Sequence, residues 1–571
     1  MSGNHDTADG RAGGAGSGAA RGAIRRRGFL KVAAAATAAG TLDPRTLMAA
    51  PEAASRAPGS PELIPRTPGS PELGRLREAE QEEVIPLGNG EPPALQFQAY
   101  PGGTGALLEK YWRAGKNPFE KTSIEVEAWD GPVPSTEEGI AFLPVHRLSA
   151  LVRERRVSPT ELFDIYMERM KRYDPVLLCA VTILEDRGRE EAEQAEAEIR
   201  AGEWRGPLHG IPYGVKDLFS TVGARTTWGS AAFQTQMIEE DAEVVRRLSA
   251  AGAVLIAKLA TGEFARGDRW YRGRTLNPWN LAWGSSGSSA GPGSATAAGC
   301  VAFSIGTETR GSIVSPSRRN GLSALRPTFG RVSRYGGMVL SWSMDKTGPM
   351  CRTIEDCALV FNEIHGADEK DPASVTTPFH FERSPDLGAL SIGYTEDAPH
   401  SFVEKLEELG ARPRLMRELP AQAASSLGAE SSSAFDFHVA PGGELPPVPQ
   451  GLGEAEERDF TRFRRGREGL AMDYVHAQRR RLIVMKRMAE AMEGFDMFAT
   501  GSGEVGLTNE TGHPAAVVQY GFGPLGPEGE EAEQPLTTTL IGDLFADDKI
   551  LSVAHAFQAA TDWHTRHPAL D

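Results

Sequence analysis

The chain has 571 residues, a formal net charge of −16 at pH 7, and 40% hydrophobic residues. An acidic surplus of this size argues against a protein that tracks phosphates, so we expect no nucleic-acid partner. The four cysteines lack the CxxC spacing of zinc sites, and we expect free buried thiols while leaving a disulfide open. They are Cys179, Cys300, Cys351 and Cys357.

Residues 1–50 have the pattern of a twin-arginine export signal. Arg25, Arg26 and Arg27 precede a mild apolar run from Val32 to Ala39, and small residues follow. The run is far shorter than the ~20 apolar residues that a membrane span needs, so no stable span is expected. The prediction is a periplasmic or secreted protein; the alternative is a basic tail.

Residues 51–120 are predicted to be a largely disordered linker. The hexapeptide PGSPEL occurs twice, at 58–63 and 68–73. Proline fixes φ and removes a hydrogen-bond donor, which favours extended or disordered chain. Residues 121–571 are then long enough to bury a large core as one domain. A Ser/Gly/Pro-rich stretch at 421–465 predicts an irregular insertion in that domain.

Helix and strand signals alternate through this domain. Ser158-Pro159-Thr160-Glu161 is a capping box with proline at the first helical position, which predicts a helix to about Arg172. Such alternation predicts an α/β fold with a mixed or parallel sheet. The further predicted elements are strands at 180–183 and 253–257, helices up to 200 and at 241–251, and an apolar, glycine-punctuated run at 210–219.

The stretch from Trp283 to Pro327 is dominated by serine, glycine and alanine. Glycine lets the backbone approach a ligand more closely than a Cβ would permit. A flexible linker is the simpler interpretation. However, Val301–Ile305 is typical of a short buried strand bounded by glycines, which linkers seldom contain. We therefore interpret this stretch as a functional site.

A serine hydroxyl becomes a good nucleophile only when a neighbouring base removes its proton. A lysine can be that base if burial or a like charge keeps it neutral. Lys216 lies in the apolar run between Val215 and Asp217 and is a candidate. From the residues alone, a surface or salt-bridged lysine remains the alternative.

Several motifs in the same order resemble the amidase signature family. They are GVKDLF at 214–219, the serine-rich loop, GTETRGSI at 306–313, GL at 321–322, LRPTFGRVS at 325–333, SMDKTGP at 343–349, and weaker matches at 511–514 and near His555. The resemblance covers roughly residues 140–568. It implies one large amidase-signature domain, a mixed β-sheet covered by helices on both faces.

The resemblance also implies a Ser-cisSer-Lys triad. Lys216 matches the base, and Ser312 matches the nucleophile. The loop has two serine pairs, and counting back 24 residues from Ser312, the family's spacing, selects Ser288 as the bridging serine beside a cis peptide bond. The implied reaction hydrolyses a small-molecule amide through an acyl-serine intermediate, without metal or cofactor; a homodimer is left open. The implied oxyanion and substrate-binding residues are Thr309, Arg310, Gly311 and Ser289.

The chain departs from the family pattern at two positions near Ser312. Arg310 replaces a glycine, and Val314 stands where many members have arginine. Arg310 either narrows the pocket or binds an acidic substrate, or it points to solvent.

Three other interpretations remain at this stage. Residues 287–291 match GxSxG with Ser289 as nucleophile, but this needs a strand directly before it, and 280–284 is a poor one. Ser343 and Lys346 imitate the SxxK and KTG motifs of penicillin-binding enzymes. The third interpretation is a non-catalytic binding protein, or an amidotransferase-like subunit, on the same fold.

Overall fold

Three neighbouring strands of the sheet, at residues 212–216, 254–259 and 303–308, are buried along almost their whole length. This is the pattern of parallel strands covered on both faces. The computed structural model describes residues 97–100, 102–120, 122–423, 427–439, 466–525 and 530–570. Within these residues no helix is both long and apolar enough to cross a membrane.

The described residues form fifteen strands. In chain order they are β1 Ala180–Ile183, β2 Pro212–Lys216, β3 Val254–Leu259, β4 Arg269–Trp270, β5 Gly273–Arg274, β6 Leu276–Asn277, β7 Asn280–Gly284, β8 Phe303–Glu308, β9 Ser323–Arg326, β10 Lys346–Cys351, β11 Ile392–Tyr394, β12 Arg414–Leu415, β13 Met497–Thr500, β14 Ala515–Leu525 and β15 Glu530–Gly542.

They also form fourteen α-helices. These are α1 Gly103–Arg113, α2 Glu137–Ala141, α3 Val145–Arg153, α4 Pro159–Leu177, α5 Glu185–Ala201, α6 Glu243–Ala250, α7 Ala290–Ala297, α8 Val314–Asn320, α9 Ile354–Ile364, α10 His400–Glu408, α11 Leu427–Val439, α12 Ala471–Ala491, α13 Val505–Thr511 and α14 Asp547–Ala559. Short 3-10 helices occur at Ala231–Phe233, Glu263–Ala265, Leu387–Ala389 and Trp563–Thr565.

Eleven of the described strands make one mixed sheet, in the order β1-β3-β2-β8-β10-β9-β14-β15-β13-β11-β12. Strand β2 runs parallel to both β3 and β8, while β10 is antiparallel to β8. The carboxyl ends of β2 and β8 therefore meet at one edge of the sheet. In open α/β sheets, ligands bind outside the carboxyl ends of such strands.

Side chains alternate between the two faces of the sheet and build a core on each. Ala516 and Val518 of β14 belong to one apolar cluster with α4, α9 and α14. Ala515 and Val517 belong to a second cluster with α8 and α12. Successive residues of a strand point to opposite faces, so helices cover both. The predicted fold, a mixed sheet covered by helices on both faces, is confirmed.

Most elements predicted in chain order are present. The capping box at Ser158 is formed, with Pro159 opening α4, although α4 continues to Leu177 beyond the predicted end. Strand β1 has the predicted bounds, and the helix preceding residue 200 is α5. The four cysteines are buried free thiols, as predicted.

The sequence stretch at 290–297 forms a helix that we did not predict. Its sequence, AGPGSATA, contains two glycines and a proline. A Cβ on Gly291 would lie 2.3 Å from the main-chain nitrogen of Ala260 and 2.4 Å from the carbonyl oxygen of Cys179. The glycine is thus required by the close packing of α7 against the main chain of its neighbours.

The structure differs from the predicted linker over residues 97–120. Helix α1 lies in this range, and Phe97 and Leu107 join a buried cluster with Phe329 and Phe545. The rings of Phe97 and Phe329 meet edge to face, with centroids 4.8 Å apart. The linker prediction was wrong here because it was based on proline and glycine content and gave no weight to a few well-spaced apolar side chains.

The predicted insertion at 421–465 is partly helical, since α11 lies inside it. Residues 424–426 and 440–465 of that insertion are outside the described residues. So are the export signal with Arg26 and Arg27 and the linker up to residue 96. Export and a periplasmic or secreted location therefore stay predictions.

Replacing Leu107 tests whether α1 is part of the folded domain. Leu107→Ala removes a side chain that is 2% exposed, and large-to-small changes in a core cost about 2–5 kcal/mol. We expect a clearly lower thermal unfolding midpoint, measured by circular dichroism. Glu109→Ala, at an exposed position of the same helix, is the control and should leave the midpoint almost unchanged. Equal midpoints for the two variants would show that α1 does not pack on the core.

Candidate active site

Lys216 is the last residue of β2, and Thr307 is the penultimate residue of β8, so the sheet brings the two together. The Lys216 ammonium nitrogen Nζ lies 2.8 Å from Ser288 Oγ and 2.8 Å from Thr307 Oγ1. It also lies 3.3 Å from the carbonyl oxygen of Thr307. The lysine is fully buried, and these three partners are uncharged.

Burial lowers the pKa of Lys216 from the usual 10.5 to about 7, although the more distant carboxylates of Asp345 and Glu308 raise it in part. Removal from water penalises the charged form of an amine. Near neutral pH a large share of Lys216 is therefore the free amine. Lys258, also buried, differs because its Nζ lies 3.0 Å from the Asp217 carboxylate.

Ser288 follows a cis peptide bond from Gly287, which agrees with the expected cis bond at the bridging serine. Its side chain is buried, and Oγ is within hydrogen-bond distance of the Lys216 amine. The structure thus places Lys216 and Ser288 in direct contact, as the resemblance implied.

Ser289 is occupied by main-chain contacts. Its hydroxyl donates to the carbonyl oxygen of Thr307 at 3.1 Å and accepts from the Thr307 N–H at 3.2 Å. Its own N–H donates to the carbonyl oxygen of Ser312 at 3.2 Å. Ser289 therefore joins the serine-rich loop both to β8 and to the turn that carries Ser312.

Two of the other sequence interpretations lose their structural basis. Residues Asn280–Gly284 do form a strand, contrary to expectation, but β7 pairs with β6 in a separate two-stranded ribbon rather than in the main sheet. The strand–serine–helix elbow of a GxSxG enzyme is therefore absent at Ser289.

The resemblance of Ser343 and Lys346 to penicillin-binding motifs loses its basis as well. Lys346 Nζ donates to the carbonyl of Met344, while the Ser343 hydroxyl contacts Glu430 and Arg481. Each side chain is therefore bonded to other groups.

The turn that carries Ser312 is held by the buried carboxylate of Glu308. Glu308 Oε2 accepts from the main-chain N–H groups of Ile313 at 2.8 Å and Val314 at 2.9 Å. Its Oε1 accepts from Arg326 Nη1 at 2.9 Å and Asn509 Nδ2 at 2.6 Å. Burial alone would raise the pKa of Glu308, but Arg326 and these hydrogen bonds lower it to about 2, so the carboxylate stays ionised.

The surroundings of Val314 suit an apolar residue. Val314 is fully buried in the apolar cluster that also contains Ile313, Leu507 and Val517. The buried cation near this turn is Arg326 on β9, which bonds both Glu308 and the carbonyl oxygen of His513, the latter at 2.7 Å.

Ser312 is 9% exposed, the most accessible of the three predicted triad residues. Gly311 just before it has φ of +90°, a conformation that L side chains rarely adopt.

In the part of the chain that the structure describes, the hydroxyls of Ser288 and Ser312 are not hydrogen-bonded to each other. The contact between their segments is the one from the Ser289 N–H to the Ser312 carbonyl.

The main-chain N–H groups of Arg310, Gly311 and Ser312 donate to no other group among the described residues. Free N–H groups beside a nucleophile can stabilise a developing oxyanion. The Thr309 side chain is engaged, since its hydroxyl donates to Asp345 Oδ1 at 2.6 Å. The Arg310 side chain is exposed and donates to Gln422 Oε1 at 2.6 Å, so it lies towards the surface.

A cavity of about 640 Å³ is lined by Thr307, which contacts Lys216, and by Thr309, but not by Lys216, Ser288 or Ser312 themselves. Part of its wall is apolar, and it is formed by Leu218, Phe219, Met338, Leu340 and Trp342. Its charged groups are engaged with protein partners: Arg334 bonds Asp371 at 2.8 Å, and Lys370 bonds Glu240 at 2.7 Å. A volume of this size suits a small molecule.

The sequence reasoning missed four residues that organise this site: Thr307, Glu308, Asp345 and Asn509. The first three lie inside motifs that we had quoted, so the signal was present. Their roles depend on which strand lies beside which. No group of three or more His, Cys, Asp or Glu side chains among the described residues is arranged to hold a metal ion.

Comparisons with known proteins agree with this fold. A family model described as "Amidase" matches residues 161–412. The chain is 32% identical over 480 residues to a glutamyl-tRNA(Gln) amidotransferase subunit of Methylococcus capsulatus, covering 74% of this chain and 98% of that protein.

Solved structures show the same architecture. The native peptide amidase of Stenotrophomonas maltophilia matches with a TM-score of 0.65 and 26% identity, covering 75% of this chain and 98% of that one. A 6-aminohexanoate cyclic dimer hydrolase matches with a TM-score of 0.65 over 75% of this chain and 99% of that one; at 20% identity this likeness concerns the fold alone. The chain therefore belongs to the amidase family and is an enzyme of the class that hydrolyses carbon–nitrogen bonds.

Proposed function

We propose that the protein hydrolyses a carboxylic amide to a carboxylate and ammonia or an amine, with Lys216 as general base, Ser288 as proton bridge and Ser312 as nucleophile. The observation that carries the proposal is the 2.8 Å contact between the buried Lys216 amine and Ser288 Oγ. A lysine with a pKa of about 7 can accept a proton at neutral pH.

The contacts of the amine suggest how it is oriented. A neutral amine has two N–H donors and one lone pair. Thr307 offers two acceptors, its hydroxyl and its carbonyl oxygen. If both N–H groups are directed at Thr307, the lone pair faces the Ser288 hydroxyl, as a base requires. Thr307 is thereby a positioning residue for Lys216.

The reaction then follows from these groups. Ser288 gives its proton to Lys216 and takes the proton of Ser312, whose oxygen attacks the amide carbonyl. This transfer needs a hydrogen bond between the two serine hydroxyls, and we propose that it forms when substrate fills the site, since catalytic hydrogen bonds often tighten only in the complex. The proton returns through Ser288 to the leaving amine, and water cleaves the acyl-enzyme.

The developing oxyanion is assigned to the free N–H groups of the turn from Arg310 to Ser312. Loss of one such donor typically costs about 3–4 kcal/mol of transition-state stabilisation. Glu308 supports this role indirectly, because its bonds to the N–H groups of Ile313 and Val314 hold the following residues in place. Because the turn is held in place, its N–H donors point at the oxyanion without having to reorganise during the reaction.

The cavity supports a substrate with an uncharged acyl group that has an apolar part. The apolar wall of Leu218, Phe219, Met338, Leu340 and Trp342 belongs to the cavity that is also lined by Thr307, a contact of Lys216. Arg334 and Lys370 are already paired with carboxylates and are poorly disposed to bind an acidic substrate. Arg310 contacts Gln422 instead.

The second candidate is an amide-hydrolysing component of an amidotransferase. The 32% identity to the glutamyl-tRNA(Gln) amidotransferase subunit of Methylococcus capsulatus favours it. The two functions differ in what the isolated chain does: an amidase turns over a simple amide alone. Hydrolysis of glutamine only in the presence of partner subunits would favour the second candidate.

Single substitutions test the assigned roles. Ser312→Ala removes the atom that forms the acyl bond, and we expect amide hydrolysis to fall by at least about a thousandfold. Lys216→Ala should lose almost as much, because residues that act as one unit have non-additive effects. Ammonia or amine release at saturating substrate is the measurement.

Ser315→Ala is the matched control, since this serine lies three residues beyond Ser312 and has no assigned role. Its activity should stay close to wild type. Ser289→Ala should lose far less than Ser312→Ala, because its hydroxyl only supports the main chain of Thr307. An inactive Ser289→Ala beside an active Ser312→Ala would overturn the assignment.

The pH dependence tests the protonation state of Lys216. The base must be neutral, so kcat/KM should rise about tenfold per pH unit below pH 7 and level off above it, in line with a pKa of about 7. Lys216→Arg should be inactive at every pH, because a guanidinium stays protonated. A wild-type profile that is flat between pH 5 and 9 would contradict Lys216 as the base.

A further inference from the structure

Helix α11 contributes a buried carboxylate to the cavity wall. The side chain of Glu430 lines the cavity and is 4% exposed. The helix lies inside the region that sequence analysis treated as an irregular insertion. A buried carboxylate is costly unless it is hydrogen-bonded, so its partners indicate what it holds.

Glu430 bonds the segment Leu340–Asp345, which we call the wall segment. Its Oε2 accepts from the Ser341 hydroxyl at 2.5 Å and from the Ser343 N–H at 3.1 Å. Its Oε1 accepts from the Ser343 hydroxyl at 2.6 Å. From α12, Gln478 Nε2 donates to Oε1 at 3.2 Å. One carboxylate thereby joins α11, α12 and the wall segment.

The other end of the wall segment is held by a second buried carboxylate. Asp345 Oδ2 accepts from the N–H groups of Leu340 at 2.8 Å and Ser341 at 3.0 Å. Its Oδ1 accepts from Thr309, next to the Ser312 turn. Asp345 anchors the wall segment to the catalytic side of the cavity, whereas Glu430 anchors it to α11.

Apolar contacts place α11 on the same wall. Phe435 is buried with Leu218 and Leu340, both of which line the cavity. Its ring centroid lies 4.9 Å from that of Phe264 and 6.3 Å from that of Trp228. Helix α11 therefore packs against two residues of the cavity wall.

We propose that Glu430 determines acyl-group specificity by docking α11 onto the wall segment, an inference that rests on the proposed amidase function. The carboxylate fixes the distance between α11 and Leu340, and so it fixes the space for the part of the acyl group farthest from Ser312. An acetyl group leaves most of a cavity of about 640 Å³ unfilled, whereas a decanoyl group fills much more of it. Long acyl groups should therefore depend more strongly on the position of the wall segment.

Two anilides that share one leaving group test this, an acetyl and a decanoyl 4-nitroanilide, with release of 4-nitroaniline as the readout. Glu430→Gln replaces an acceptor oxygen by an amide nitrogen that opposes the Ser341 and Ser343 donors. We expect kcat/KM for the decanoyl substrate to fall at least about tenfold, mainly through KM, and for the acetyl substrate less than about threefold.

Ser433→Ala, at an exposed position of the same helix, is the matched control and should leave both values unchanged. Ser341→Ala removes one of the two partners of Oε2 and should shift selectivity in the same direction as Glu430→Gln. The double variant should lose less than the sum of the two single losses, because both changes break the bond between Ser341 and Glu430. If Glu430→Gln does not fold, Ser341→Ala carries the same test.

Equal losses for both substrates would mean a general structural role and would overturn the inference. Unchanged selectivity in folded Glu430→Gln and Ser341→Ala would overturn it as well. In both cases wild-type turnover leaves the proposed function standing. If the wild-type enzyme hydrolyses neither anilide nor any other amide, the proposed function fails and this inference fails with it.

Discussion

The site depends on one constraint, a lysine amine removed from water without a carboxylate partner. Lys216 and Lys258 lie on adjacent parallel strands, and both are fully buried. Lys258 pairs with Asp217 at 3.0 Å, which favours its charged form. Lys216 meets only a serine hydroxyl and two oxygens of Thr307. Burial lowers the pKa of both lysines, but the adjacent Asp217 carboxylate opposes this at Lys258, whereas Lys216 has no carboxylate in contact.

Other contacts hold the serine-rich loop and the Ser312 turn in fixed positions relative to the Lys216 amine. Ser289 ties the serine-rich loop to β8 and to Ser312 through its main chain and hydroxyl. Glu308 ties the Ser312 turn to β9 and α13 through Arg326 and Asn509. The carboxylate is buried and ionised, and loss of Arg326 would leave it uncompensated, which is strongly destabilising. Distant parts of the chain therefore meet at the residues flanking the turn.

Local patterns predicted the elements well, because capping at Ser158 and the apolar runs of β1, β2 and β3 are local signals. Motif order predicted Lys216, Ser288 and Ser312 as a group, and the first two are in contact. The roles of Asp345 and Glu430 could not be predicted, since each bonds a residue that only the fold brings near. Residues 97–113 and α11 were missed because composition masked a few buried side chains, Leu107 and Phe435 among them.

Covalent labelling of the serine tests the central claim most directly. A fluorophosphonate modifies an activated serine, and cleavage by trypsin after Arg310 separates Ser312, in residues 311–318, from Ser288 and Ser289, in residues 275–310. The account predicts one adduct, on Ser312 in the 311–318 peptide, and none in Lys216→Ala. An adduct on Ser289 in the 275–310 peptide, or undiminished labelling of Ser312 in Lys216→Ala, would contradict it.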